Sequence, residues 1–238
     1  YRFDPLNRLA SVTEPSGATT SFGYDAVGNR VSVTDPLGQT TAFTYDVLNR
    51  LTAEADPLGN TRQYVYDPVG NLVRLTDRNG RTRTFQYDAL DRQTEETWLA
   101  DGTPVYQFSF NYDVAGNLTS ASDPNSVYAL TYDAADRLIE VDNEGTTDAP
   151  HLVLAYQWDS VGNLLSVRDN FGAWVTSTYD ARDQLSRRVW EGPGLESIRV
   201  DFAYTPRGEL SELGRFAGAD ATQPAGRSTL TYDARGRL

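Results

Sequence analysis

Thr41-Ala42-Phe43-Thr44-Tyr45-Asp46-Val47-Leu48-Asn49-Arg50 contains the decision about the fold. Its first half alternates, with Phe43 and Tyr45 two apart and small residues between them. Period two in a run rich in Thr, Phe and Tyr predicts a β-strand. Its second half is a turn. Three residues beyond Asp46 stands Asn49, one of the few residue types that tolerate positive φ. A second alternating run follows such turns, as in Val31-Ser32-Val33 and Leu165-Ser166-Val167. No segment sustains a 3.6-residue pattern, so the chain is expected to be nearly all β.

The same unit recurs along all 238 residues. The aromatic-Asp pair stands at Phe3-Asp4, Tyr24-Asp25, Tyr45-Asp46, Tyr66-Asp67 and Tyr87-Asp88. It continues at Tyr112-Asp113, Tyr132-Asp133, Trp158-Asp159, Tyr179-Asp180 and Tyr232-Asp233, and Tyr204-Thr205 is the one anchor without the acid. The first four intervals are 21 residues each, and the later ones are 25, 20, 26, 21, 25 and 28. This describes a single array of ten to eleven repeats over residues 1–238. The absence of Met and the opening in mid-motif at Tyr1-Arg2-Phe3-Asp4 suggest a fragment of a longer chain.

Two turns join the strands of each repeat. In the first, the residue three beyond the anchor acid is Asn7, Gly28, Asn49, Gly70, Asp91, Gly116, Asp136, Gly162, Asp183, Gly208 or Gly236. The anchor Asp is expected to accept backbone N–H groups within that turn, a role Thr205 can partly mimic. The second turn reads Glu14-Pro15-Ser16-Gly17, Asp35-Pro36-Leu37-Gly38, Asp56-Pro57-Leu58-Gly59 and Asp77-Arg78-Asn79-Gly80, a type I turn followed by a left-handed residue. The extra residues of the longer repeats are assigned to this turn, at 98–103, 142–150, 190–195 and 216–227. One residue beyond the first-turn position, Arg8, Asn29, Arg50, Asn71, Arg92, Asn117, Arg137 and Asn163 alternate. The structural unit is thereby a pair of repeats of about 42 residues.

About twenty strands at ~4.8 Å spacing would make a sheet close to ~100 Å wide. Open sheets beyond ~10 strands curl or split. A continuous meander is therefore expected to curl into a hollow, barrel-like or spiral shell segment, since barrels of about sixteen strands or more enclose space. A propeller of four-stranded blades is the competing architecture, but the Gly-His and Trp-Asp blade signature is missing.

Composition excludes several functions. Lys plus Arg is 21 and Asp plus Glu is 33, a net charge of −12 that repels phosphate backbones and anionic membranes. No Cys and a single His, His151, leave no thiolate chemistry and no multi-His metal site. No apolar run approaches the ~20 residues of a membrane-spanning helix. The expected partners include neither nucleic acid nor an inserted membrane.

Tyr64-Val65-Tyr66-Asp67-Pro68-Val69-Gly70-Asn71-Leu72 and Tyr232-Asp233-Ala234-Arg235-Gly236-Arg237-Leu238 carry a further signal. The pattern Tyr-x-Tyr-Asp-x-x-Gly/Asn-Asn/Arg-Leu resembles the Rhs or YD-repeat family, and the resemblance runs the whole length. It implies a spiralling β-sheet shell of the kind found in bacterial polymorphic toxins, in the C component of insecticidal Tc toxins and in animal teneurins. In the bacterial members the shell encloses a C-terminal toxic polypeptide until delivery. The family's core region, with its aspartic self-cleavage site, has no counterpart in these residues, so the resemblance implies no self-proteolysis here.

The expected function is thus a non-catalytic shell segment of a secreted or cell-surface bacterial protein, walling off a polypeptide cargo. Its partners would be the remainder of its own parent chain. The alternative is a binding module whose variable loops contact glycans or a protein. Of 27 aromatic residues, 19 fall one or three positions before the anchor acid, which favours cross-strand ladders over ligand platforms. His151 has no nucleophile motif beside it and reads as surface. Asp142, Glu144 and Asp148 do not match an EF-hand spacing and read as a solvated turn. Acids that recur at every repeat do not single out one active site. No catalytic, cofactor-binding or metal residue is assigned.

Overall fold

The computed structural model describes residues 1–238. It contains 21 β-strands, from β1 (Arg2–Phe3) to β21 (Gly226–Thr229), and no helix. The chain divides into two compact units, Tyr1–Phe110 and Asn111–Leu238, and β11 (Thr103–Tyr112) carries it from one to the other. Within each unit, strands consecutive in sequence pair antiparallel, so each unit is a meander.

The alternation read from the sequence sets the two faces of the sheet. In the first unit Phe22, Phe43, Tyr64 and Phe85 share a face with Val33, Glu54, Leu75 and Glu96, their direct partners on the next strand. The opposite face carries Ser21, Gly23, Ala42, Thr44, Gln63 and Val65. The aromatics thus stand beside aliphatic or charged residues, not each other. A strand without the aromatic motif lies between successive copies. A cluster of rings forms where the motif is broken: Trp98, Tyr106 and Phe108 lie with centroids 5.1–6.0 Å apart.

Within each unit, strands touch only their sequence neighbours, so nothing lies over either face as a second layer. The core is correspondingly thin. Val189 and Phe216 are the buried hydrophobic residues, and no large side chain is fully buried. The accessible surface is 15390 Å², against about 10,600 Å² for a compact monomer of 26.4 kDa.

In the regular repeats the two turns share one geometry. At the anchor turn Asp25 N–H donates to Asn29 O (2.9 Å) and Gly28 N–H to Asp25 O (3.3 Å). At the second turn Asp35 N–H donates to Gln39 O (2.9 Å) and Gly38 N–H to Asp35 O (3.0 Å). What separates them in these repeats is a β-bulge beside the anchor turn; the lengthened hairpin at Asp101-Gly102 carries one of its own, at Val105. Gly23 faces Ser32 and Tyr24 faces Arg30, leaving Val31 unopposed. The same slip leaves out Thr52, Val73, Ile139, Leu165 and Ser186.

The variable segments need correction. Residues 98–103 are not a loop: β10 (Gln93–Ala100) and β11 extend through them to a two-residue Asp101-Gly102 turn. Their φ values of 48° and 80° fit the left-handed geometry that Asp-Gly favours in tight hairpins. Likewise Trp190 and Glu191 end β18 (Leu185–Glu191), and Phe216 and Ala217 end β20 (Leu210–Ala217). At these three segments the inserted residues lengthen strands, because extending a ladder satisfies backbone groups that a loop would leave to water, whereas 142–150 stays a loop between β14 (Leu138–Asp142) and β15 (Val153–Trp158).

Candidate functional site

In each unit the residues singled out by the repeat line one edge, the row of anchor turns. Tyr24, Tyr45, Tyr66, Tyr87, Tyr112, Tyr132, Trp158, Tyr179 and Tyr204 each end a strand. Phe3 ends β1, and Tyr232 lies just beyond β21. The left-handed positions Asn7, Gly28, Asn49, Gly70, Asp91, Gly116, Asp136, Gly162, Asp183, Gly208 and Gly236 all have positive φ.

Each anchor acid closes its own turn. Asp25 Oδ1 accepts from the N–H groups of Val27, Gly28 and Asn29 at 3.1, 2.8 and 2.8 Å. Asp46 Oδ1 accepts from Leu48 and Arg50, and Asp67 Oδ1 from Gly70 and Asn71. Asp4, Asp88, Asp113, Asp133, Asp159, Asp180 and Asp233 make equivalent bonds. Thr205 Oγ1 accepts from Arg207 and Glu209 at the longer distances of 3.2 and 3.3 Å. The backbone donation from Arg50, with its guanidinium, holds the Asp46 carboxyl below its ordinary value. At Asp67, desolvation works against the donors, but the bonds from Asn71 and Gly70 outweigh it and the carboxyl is again lowered.

The anchor aromatic solves a problem created by the bulge. A bulge interrupts the ladder and leaves backbone groups without their strand partner. Tyr66 Oη–H donates to Leu51 O at 3.0 Å, and Leu51 directly precedes the bulged Thr52. Tyr24, Tyr45 and Tyr87 donate likewise to Leu9, Arg30 and Leu72 of the preceding repeat. Tyr132, Tyr179, Tyr204 and Tyr232 do the same to Leu118, Leu164, Leu185 and Leu210. Trp158 substitutes its Nε1–H, 2.8 Å from Leu138 O. The position that supplies the accepting carbonyl, five beyond the anchor acid, is Leu in most repeats, which is the sequence signal that could have located it.

The Arg/Asn alternation also has a physical cause. Arg8 and Arg50 bind their own anchor carboxylate through Nε and reach the next anchor's backbone carbonyl, Asp25 O at 3.1 Å and Asp67 O at 2.8 Å. Their guanidiniums also lie over Tyr24 and Tyr66, 4.6 and 4.8 Å from the ring centroids. Asn is too short for that reach. Asn29, Asn71, Asn117 and Asn163 instead donate to a side chain of the next repeat, Asn49, Asp91, Asp136 and Asp183. The left-handed residue must then carry an acceptor after an Asn repeat, whereas Gly suffices after an Arg repeat.

Elsewhere, His151 Nε2 lies 2.8 Å from Asp142 Oδ1, with Glu144 close by. Asp148 does not join this group. Asp142 also accepts the Glu144 N–H, and that bond, with His151 behind it, lowers its carboxyl. The loop is exposed.

The sequence profile of the RHS Repeat family matches residues 3–39, 24–61, 66–103 and 112–147. No curated protein matches the chain in sequence. Among solved structures it is similar to TcdB2-TccC3 without its hypervariable C-terminal region, at 17% identity and a TM-score of 0.68 over 98% of this chain. It is similar also to TcdB2-TccC3-TEV, at 16% identity and a TM-score of 0.65 over 99% of this chain. The Tc holotoxin pore of Photorhabdus luminescens matches at 16% identity and a TM-score of 0.62 over 97% of this chain. This chain covers 16% of each of those chains. With the profile matching more than half of its residues and the all-β meander sharing the fold of these toxin chains, the chain belongs to the RHS repeat family.

Proposed function

We propose that this array is a non-catalytic wall segment of a secreted or cell-surface bacterial Rhs-type protein, separating an enclosed polypeptide such as a toxin from solvent. The observation that carries the reading is the single-layer sheet. Within each unit no second layer covers the aromatic face, so the sheet is built to divide two spaces and not to enclose its own core. The anchor edge supports the same reading. Its carboxylates, guanidiniums and phenols are spent on bonds within and between repeats, which stiffens a wall and leaves no group poised for acid–base or nucleophilic work. Its partners on this reading are further parts of the parent chain.

The test is protease protection in the longer protein that carries this array. The polypeptide it encloses should survive trypsin in the intact parent protein and be digested when produced alone. Equal digestion in both settings would overturn the wall reading.

A further inference from the structure

On the second-turn side of the second unit the aromatic face departs from its own pattern. In the first unit the corresponding cross-strand pairs are Val33–Thr41, Glu54–Arg62 and Leu75–Arg83, each with a polar or charged member. In the second unit the register runs Val167–Val175–Trp190–Ile198 without a polar residue. These residues lie on β16 (Leu164–Asp169), β17 (Trp174–Tyr179), β18 and β19 (Ile198–Tyr204). With Leu154 of β15 (Val153–Trp158) they floor a groove of 330 Å³. Five strands at ~4.8 Å make it about 19 Å long, the span of five or six extended residues. Trp190 is 38% exposed and Ile198 54% exposed, although both sit in paired strands.

One side of the groove is preformed. The turn at Asp169–Ala173 and the loop from Gly192 are in contact, since a Cβ on Gly172 would meet Pro193 Cγ at 3.2 Å. Two acidic residues, Asp169 and Glu196, line it beside the apolar floor, and none of its lining residues is cationic. An apolar floor beside unneutralised carboxylates complements a chain that alternates apolar and cationic residues and repels an acidic one.

We propose that this groove docks an extended segment of a second polypeptide, rich in aliphatic residues and in Lys or Arg. The inference goes beyond the wall reading and does not depend on it. The test uses the full chain and two acetylated, fluorescently labelled octapeptides, one alternating Leu with Lys and one alternating Leu with Glu, followed by anisotropy. The Leu-Lys peptide should bind at least about ten-fold more tightly than the Leu-Glu peptide, as charge complementarity requires. Ile198→Lys, at an exposed position, should weaken that binding about ten-fold, and Glu196→Gln about three-fold. Thr41→Lys adds the same charge to the other unit and should leave it within about two-fold. A Leu-Glu peptide that binds as tightly, or a Thr41→Lys loss equal to that of Ile198→Lys, would overturn the assignment.

Discussion

At the residue scale, the anchor tyrosine is defined by its hydroxyl as much as by its ring. Tyr66 caps the carbonyl that the bulge at Thr52 exposes, so its repeat is tied to the previous one through a single O–H···O bond. Tyr66→Phe keeps the ring beneath Arg50 and removes only that bond. The expected loss is about 1 kcal/mol, the usual contribution of one intramolecular hydrogen bond, rising if the Leu51 carbonyl finds no water. Urea denaturation of the unit's transition would check this, and an unchanged midpoint would mean the hydroxyl bond contributes nothing.

At the element scale, neighbouring turns are coupled in two alternating ways, and the coupling can be rewritten. Arg50→Asn alone removes the reach to Asp67 O and leaves the shorter amide its own anchor carboxylate, as at Asn29, but no acceptor on the next turn, because Gly70 has no side chain. Adding Gly70→Asn restores the arrangement seen where Asn29 donates to Asn49, itself at φ 61°. The double variant should therefore be more stable than the sum of the singles by about 0.5–1 kcal/mol, a coupling that a double-mutant cycle measures. Strict additivity would remove the relay as the cause of the alternation. The 42-residue period itself was legible, as was the strand-turn-strand grammar, because turns select Gly, Asn and Asp by backbone geometry and strands select by alternation. The bulges were not legible. Val31, Thr52, Val73 and Ile139 are β-branched but Leu165 and Ser186 are not, and β-branched residues fill ordinary strand positions too, so the side chain does not mark the backbone slip. The strand extension through Trp98–Thr103 is hidden for a related reason: the regular repeats turn at that point, so an insertion there reads as loop.

At the scale of the whole molecule, the repeated anchor acids make stability a function of pH. Asp4, Asp25, Asp46, Asp67, Asp88, Asp113, Asp133, Asp159 and Asp233 all have carboxyls lowered from an ordinary value near 3.8. A carboxyl lowered in the folded state contributes stability that is complete above its unfolded value and lost as pH falls toward the folded one. The melting temperature should thus hold from pH 7 to about pH 5 and drop steadily below about pH 4. Relief of the net charge of −12 acts in the opposite direction over the same range, so the observed fall measures the excess of turn closure over self-repulsion. Melting followed by circular dichroism at pH 7, 5, 4 and 3 would show it, and equal values at pH 7 and pH 3 would refute it.

The single-layer sheet has a thermodynamic signature of its own. An unfolded chain of 26.4 kDa exposes about 38,000 Å², so retaining 15390 Å² when folded means that about 60% of the surface is buried. A compact domain of this size buries about 72%. Stability here comes from ladders, turn closure and the bonds between repeats, with a smaller apolar share than a layered fold would have. The heat-capacity change of unfolding tracks the apolar surface newly exposed, about 12–15 cal/mol/K per residue in compact proteins. Scaled to the smaller burial it should fall to about 10–12 cal/mol/K per residue, summed over whatever transitions the two units show. Scanning calorimetry over a range of pH gives the quantity directly from the slope of enthalpy against melting temperature. A value at or above about 14 cal/mol/K per residue would mean that the aromatic face is covered in solution, by the chain itself or by another copy, and the wall would then need a different physical basis.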